Sequence, residues 1–361
     1  MKITFIVSSF QQSGPGNVVK TLANQLLKMG HQVQIIALSN DFPVYSGLQP
    51  TIVIETLNFD HKKISTLMIQ KVQSKIRKFQ PDIIHSHGLR ADKINTQLTQ
   101  TRVVRVSTSH NEPFRDYPAD YHLKGWLMAL YQIIQFRRLD GVATLTPEMD
   151  EQFNRLLRVH QTQLIPNGVE TVPTAQTHHG MAQKKRSVCR LGVVANLIPR
   201  KRINQIIEAF QSVSTLNLSL EIFGEGALLT KLQDQSNECV NIHFHGFEHE
   251  ITQIFSDIDV FISMSKAEGL PLTVLEAISA NKPVILSDIS PHRYICSQLP
   301  AGSFRLISST SELSKTINAL SEGKLIFNDY KDSFFKKFSD RIMARRYVIW
   351  YQKLLKHDER V

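Results

Sequence analysis

Cysteine is scarce. Cys189, Cys239 and Cys296 are odd in number and far apart, which argues against a disulfide framework and a metal-binding pair. Cytoplasm is the compartment expected of such a chain. Tryptophan occurs only twice and in no base-stacking motif, and no nucleic-acid module is visible. No apolar run approaches the roughly 18 residues of a membrane-spanning helix. The opening run Ile3-Thr4-Phe5-Ile6-Val7 is too short for a signal-peptide core, and no small-residue cleavage site follows; it reads as a first strand. Acid is in deficit too, with 32 acidic against 42 basic side chains and a net charge of +10. Such an excess favours an anionic partner, and without a nucleic-acid module a diphosphate or an anionic membrane surface remains.

What is present is globular: 361 residues, 42% hydrophobic and 20% charged, enough for two α/β domains. The chain is organised around one stretch. Asp259-Val260-Phe261-Ile262-Ser263 reads as a buried parallel strand. A glycine-containing turn follows, Pro271 opens a helix from Leu272 to about Ala280, and Pro283 to Ser287 is the next strand. Glu268 thus lies at the carboxyl end of a strand, where open α/β sheets bind ligands. Glu276 lies about a turn and a half into the helix. The helix start offers backbone N–H groups and a positive dipole end, which suit a phosphate. Phosphate-seeking N–H groups between two hydroxyl-seeking carboxylates match a sugar nucleotide: polyol, diphosphate, polyol.

The first unit begins with a strand from Lys2 to Ser8, the loop Gly14-Pro15-Gly16-Asn17, a helix from about Val18 to Met29 and a strand from His31 to Ala37. A dinucleotide fingerprint fails here, because Val19 replaces the third glycine and no acid closes the second strand. His61 to Gln80 reads as a basic amphipathic helix without acid. Ile64, Leu67, Met68, Val72, Ile76 and Phe79 form its apolar face, and Lys71, Lys75 and Lys78 lie on another. Pro81 to Gly88 is a strand entering a loop with His85 and His87, and Val103 to Ser107 leads to His110. The histidine pair lacks a third metal ligand. Glu112 to Pro118 is expected to be irregular, and Tyr117 to Leu139 to be a core-packing helix. Thr171 to Ser187, polar and aperiodic, is the expected interdomain linker.

The strand–loop–helix pattern then restarts with Val188 to Val194, the loop Ala195 to Lys201 and a helix from Ile203 to Ser212. Leu218 to Phe223 enters the turn Gly224-Glu225-Gly226, and Ile242 to Phe247 is a further strand and loop. Asp257 and Asp259 form a D-x-D pair, but their place before a buried strand speaks against a metal. Phe338 to Lys356 is an aromatic-rich final helix.

Glu268 and Glu276 are separated by seven residues, and the phrase SKAEGLPLTVLEAISANKPVILSDI around them resembles the E-x7-E signature of retaining GT-B glycosyltransferases, most closely family 4. The PDIIH-x-H segment at 81–87, Pro166-Asn167-Gly168 and the Gly224–Gly226 turn are similar to family motifs. The resemblance covers nearly the whole chain, with its specific motifs concentrated in the second half. It implies two Rossmann-like α/β/α domains facing across a cleft. Residues 1–172, with a C-terminal helix at about 338–361 packing back on them, would be the acceptor side. Residues 188–337 would bind the sugar nucleotide.

The resemblance also implies roles. Gly16 would be a backbone donor to the distal phosphate, and His110 would approach the donor sugar and acceptor. Lys201 would grip the diphosphate, with Asn196 standing where the family usually has arginine. Phe247 would meet the base. Gly269, Leu270 and Thr273 would supply the phosphate-facing helix start, Glu268 would serve the transferred sugar or the anomeric centre, and Glu276 would serve the ribose. His110, Lys201 and Glu268 are the implied catalytic set, with no metal and no cofactor. The expected activity is transfer of a hexosyl or N-acetylhexosaminyl group, with retention, from a nucleotide sugar, UDP-linked by family habit. The acceptor would be a glycan or lipid-linked saccharide in surface polysaccharide synthesis, at the inner face of the cell membrane. Two other readings are a UDP-sugar 2-epimerase of the same fold, which would need further acid/base carboxylates, and a non-catalytic sugar-nucleotide-binding subunit, for which Asn196 speaks.

Overall fold

The computed structural model describes residues 1–10, 14–39, 47–59, 64–99, 102–158, 161–172, 188–213, 217–248, 250–328 and 337–358. Most of the expected linker at 171–187 lies outside the described residues, as do His61, Lys62 and Lys63. The chain divides into two compact units, Met1–Gly168 with Lys337–Val361, and Val169–Lys336.

In the first unit, β1 (Lys2–Val7), β2 (Gln32–Ala37), β3 (Val53–Thr56), β4 (Ile83–His87), β5 (Val104–Thr108), β6 (Gly141–Thr144) and β7 (Thr162–Leu164) form one sheet in the order β3-β2-β1-β4-β5-β6-β7. The pairings are parallel, and the runs Ile3–Ile6, Ile35–Ile36 and Ile83–Ile84 are fully buried, as strands covered on both faces require. Strand order reverses at β1/β4, the kind of switch point beside which open α/β sheets bind ligands. The helices are α1 (Gly14–Lys28), α2 (Thr66–Phe79), α3 (Leu89–Asn95), α4 (Pro113–Phe136) and α5 (Pro147–Leu156).

Several elements differ from expectation. Helix α1 starts at Gly14, which puts Gly16 in a helical first turn instead of a loop. In α2, capped by the Ser65 hydroxyl accepting from the Met68 N–H, Met68, Val72 and Ile76 are buried while Leu67 is exposed. Lys75 pairs with Glu55 at 2.6 Å, and Lys71 lies over the Phe59 ring at 5.1 Å. The segment from Pro113 to Pro118 is helical, not irregular. Pro113 suits a first turn that needs no N–H there, and the Asp116 carboxylate accepts the Glu112 N–H at 2.9 Å. Helix α4 breaks at His122, which sits at φ 52°. After the break Gly125 packs on Tyr117 so closely that a Cβ would lie 2.2 Å from the Tyr117 carbonyl oxygen.

In the second unit, β8 (Cys189–Val194), β9 (Leu218–Phe223), β10 (Ile242–Gly246), β11 (Val260–Ser263), β12 (Val284–Ser287) and β13 (Phe304–Ile307) form a parallel sheet in the order β10-β9-β8-β11-β12-β13. Its helices are α6 (Ile203–Gln211), α7 (Leu229–Ser236), α8 (Ile251–Ser256), α9 (Leu272–Ser279), α10 (Ser290–Cys296) and α11 (Thr310–Ser321). Leu191, Val193, Ile206, Leu220, Ile222, Ile262 and Ile285 lie in its core. The switch point falls at β8/β11. The D-x-D pair has a structural use: Arg190 meets Asp257 at 3.2 Å and Asp259 at 3.7 Å, tying the start of β11 to β8.

The final helix α12 (Asp340–Asp358) belongs to the first unit. Its buried Tyr351 hydroxyl bonds His85 Nδ1 at 2.6 Å, and its buried Tyr347 hydroxyl bonds the Thr108 hydroxyl at 2.8 Å. Asp340 accepts from the Gln25 amide of α1.

Candidate active site

In the second unit, the loop after β8 runs from Ala195 through a 3-10 turn at Pro199–Lys201. It is held by the turn after β9: Leu197 N–H donates to the Glu225 carbonyl at 2.8 Å and Leu228 N–H to the Leu197 carbonyl at 3.0 Å. This close approach demands glycine. Gly224 and Gly226 adopt φ 134° and 155°, and a Cβ on Gly224 would sit 2.0 Å from the Ala195 oxygen.

The loop delivers two cations to the end of β11. Lys201 Nζ donates to Glu268 Oε1. Arg200 donates to the Ala267 carbonyl at 3.1 Å and stands 4.0 Å from Glu268 Oε2. Lys266 N–H donates to the Arg200 carbonyl at 2.8 Å, so the two loops are laced together. Burial pushes the Glu268 carboxyl up, but Lys201, the Ser265 hydroxyl and Arg200 more than offset it, and the group stays below its ordinary value. Glu268 is therefore a buried, ionised carboxylate.

A second layer lies behind it. His292, at the start of α10, is fully buried. Its Nδ1–H donates to the Ser287 carbonyl at 2.8 Å, and the Ser287 hydroxyl donates to the Ser265 carbonyl at 2.6 Å. Burial drives His292 down to about 4, so the ring is neutral. Its Nε2 is buried without a partner in the described structure. Gly269 and Leu270 are buried, and Pro271 caps α9 in an extended conformation; Thr273 and Glu276 are half-buried on that helix. Asn196 is exposed beside the loop that carries Lys201, and Phe247 is exposed just beyond β10.

In the first unit the carboxyl ends of β4 and β5 bring three histidines together. His87 Nδ1 and His110 Nε2 are 2.7 Å apart, and the rings of His85 and His87 are 4.3 Å apart. His85 is closed off by Tyr351 and by the Thr108 hydroxyl at 2.8 Å. His85 and His87 are buried, whereas His110 is only half-buried. Burial lowers all three, His110 to about 4, so His110 is a neutral ring near neutral pH. Beneath them, buried Asp92 of α3 accepts the Ser86 and Ser107 hydroxyls at 2.8 and 2.6 Å; burial still raises it to about 6.

The structure thus joins Lys201 to Glu268 and aligns Gly269, Leu270, Thr273 and Glu276 on the same strand–loop–helix unit. Asn196 follows β8 and Phe247 follows β10, two strands of the second sheet separated by β9, and Gly16 and His110 lie on the first unit. Sequence reasoning missed His292 and Ser287. A readable signal existed for the first: a histidine just beyond the carboxyl end of β12, where ligands of such sheets are met.

Two parallel doubly wound units, one with a clamped carboxylate at its switch point, define a GT-B protein. A model of Glycosyltransferase Family 4 matches residues 12–173, and one of glycosyl transferases group 1 matches residues 182–332. The chain belongs to this glycosyltransferase family. It is 26% identical over 371 aligned positions to the Escherichia coli O-antigen biosynthesis glycosyltransferase WclY, covering 99% of both chains. It is 24% identical to the alpha-monoglucosyldiacylglycerol synthase of Acholeplasma laidlawii, covering 76% of each. Among solved structures, Anabaena HepE in complex with UDP and glucose superposes with a TM-score of 0.79 at 17% identity, covering 98% of this chain and all of that one. At that identity the likeness speaks to the fold.

Proposed function

We propose that this glycosyltransferase moves a hexosyl or N-acetylhexosaminyl group from a UDP-linked donor to a glycan or lipid-linked acceptor, with retention of configuration, in surface polysaccharide synthesis. The observation that carries the reading is the buried, ionised Glu268 clamped by Lys201 beside the start of α9. The end-to-end similarity to WclY and the UDP and glucose bound by HepE support the substrate class.

Breaking the bond between the anomeric carbon and phosphate builds negative charge on the leaving diphosphate. Lys201 and the N–H groups around Leu270 and Thr273 are the fixed positive ends that would meet it, so this reading requires no divalent metal. Glu268 takes hydroxyls of the transferred sugar or faces the positive anomeric centre. Its bond to Lys201 fixes the carboxylate and leaves two ammonium N–H groups for phosphate oxygens. Glu276 accepts the ribose hydroxyls, Phe247 meets the base, and Asn196 offers an uncharged hydrogen bond to phosphate. We assign Gly16 the distal-phosphate role and His110, as a neutral imidazole, a hydroxyl contact on the sugar or acceptor.

A thermal-shift panel with UDP, GDP, ADP and their sugar conjugates, with and without magnesium, tests this. A ligand at about 100 times its Kd stabilises by roughly 2.7 kcal/mol. The expected result is a shift with UDP compounds that needs no magnesium and disappears in Glu276→Ala. No shift with any nucleotide would overturn the reading in favour of a chain without donor-binding capacity.

A further inference from the structure

Helix α4 is apolar on two faces: Ala129, Ile133 and Phe136 are buried against the unit. Beyond its break at His122, the side chains facing the unit include Gln132 and Gln135, both buried. Gln132 donates to buried Asp92 at 3.3 Å, and Gln135 accepts from the Thr96 hydroxyl at 2.8 Å. The opposite face is apolar and open: Leu123 is 84% exposed, Trp126 54%, Leu127 71% and Leu130 52%, with Tyr131 and Ile134 beside them. Leu123, Leu127, Leu130 and Ile134 follow helical spacing and make one continuous stripe. The sequence had pointed to core packing for this helix; periodicity found the face but not what lies opposite it. A stripe of this size is not a chance feature of a water-facing helix.

Charge says what covers it. From Tyr121 to Leu139 the sequence holds no acid, while Lys124, Arg137 and Arg138 are exposed around the stripe. Lys93 of α3 stands over the Tyr131 ring at 5.7 Å. A second copy of the chain placed on this face would bring these cations together. An anionic bilayer would neutralise them while the leucines enter the acyl boundary and Trp126 and Tyr131 sit at headgroup level. We propose that the exposed face of α4 is a membrane-docking surface for anionic lipid. The basic face of α2 suits a membrane less well, because Lys75 and Lys71 are already engaged by Glu55 and Phe59. The inference shares with the proposed function only the premise that the acceptor is lipid-linked.

The test is flotation of the full chain with phosphatidylcholine vesicles, with and without phosphatidylglycerol, followed by tryptophan emission. Wild type should float with the anionic vesicles, and its emission should move to the blue. Trp126→Phe, which retains buried Trp350, should lose the emission change. Leu127→Glu with Leu130→Glu should lower vesicle partition by about tenfold or more at an unchanged melting temperature, because both side chains face water. Failure of wild type to bind anionic vesicles would overturn the proposal, as would binding that survives the double variant. A lipid-free dimer that the double variant dissolves, without vesicle binding, would assign the face to a second copy instead. The UDP shift, recorded without lipid, separates the two readings: its absence with vesicle binding intact sinks the donor reading alone, and the reverse sinks only the docking surface.

Discussion

Glu268 keeps its charge inside the protein because Lys201 and Arg200 stand against it. Removing one partner of such a pair leaves a buried charge and costs about 3–5 kcal/mol. Lys201→Met should therefore destabilise strongly. Glu268→Gln should cost less, since Lys201 retains more contact with solvent than its partner. The double variant should fall well short of the sum. Urea midpoints of the three variants check this; additive losses would mean the contact is not energetically coupled. Asp92 offers a test in pH. Its folded value of about 6 lies above 3.8, so its ionisation opposes folding. The benefit of the protonated form is complete below pH 3.8 and is lost as pH rises through about 6, a total of about 3 kcal/mol. Asp92→Asn should flatten that slope in denaturant titrations at pH 4 and 7. Glu268 has the opposite sign: its lowered value adds stability above pH 4.5 that disappears on acidification.

The loop that presents Asn196, Arg200 and Lys201 depends on a glycine in the next βα turn. At φ 134°, with the Ala195 oxygen 2.0 Å from its missing Cβ, Gly224 has no tolerable replacement. Gly224→Ala should cost about 3 kcal/mol or more through strain and clash. It should also weaken UDP binding, because the loop must move to relieve the clash. A thermal melt with and without nucleotide reads both effects, and an unchanged UDP shift would separate the turn from the site. The Gly224–Gly226 turn was legible in the sequence, as were the buried strands, because a β-branched run between turn residues has few other uses. The short edge strand β3, with only two aliphatic residues in Val-Ile-Glu-Thr, and the brief helix α3 carry no such signature. The strand–loop–helix around Glu268 was readable for the same reason as the strands. Its backing was readable only in the position of His292 beyond β12: the Ser287 hydroxyl that His292 sits against bonds the Ser265 carbonyl across to the end of β11, a contact set by tertiary packing.

At the scale of the molecule, the first unit is completed by chain that arrives last. Tyr347 and Tyr351 are fully buried, and their hydroxyls bond Thr108 and His85, at the same strand ends that carry the histidine cluster. Trp350 lies so close to Gly141 that a Cβ there would meet its ring at 2.6 Å. Deleting residues 337–361 would open that core and leave the His85 Nδ1 without its tyrosine. Each lost aromatic costs about 3–5 kcal/mol, and several such losses exceed the 5–15 kcal/mol that holds a typical domain together. The second unit has its own sheet and core and supplies none of these contacts. A chain ending at residue 336 should accordingly lose the cooperative transition of the first unit while the second still melts as a folded body. Calorimetry with limited proteolysis checks this. If Lys201, Glu268 and Glu276 hold the nucleotide as proposed, that remaining transition should still move upward with UDP. A truncated chain that melts in one transition, or not at all, would show that the two units fold as one.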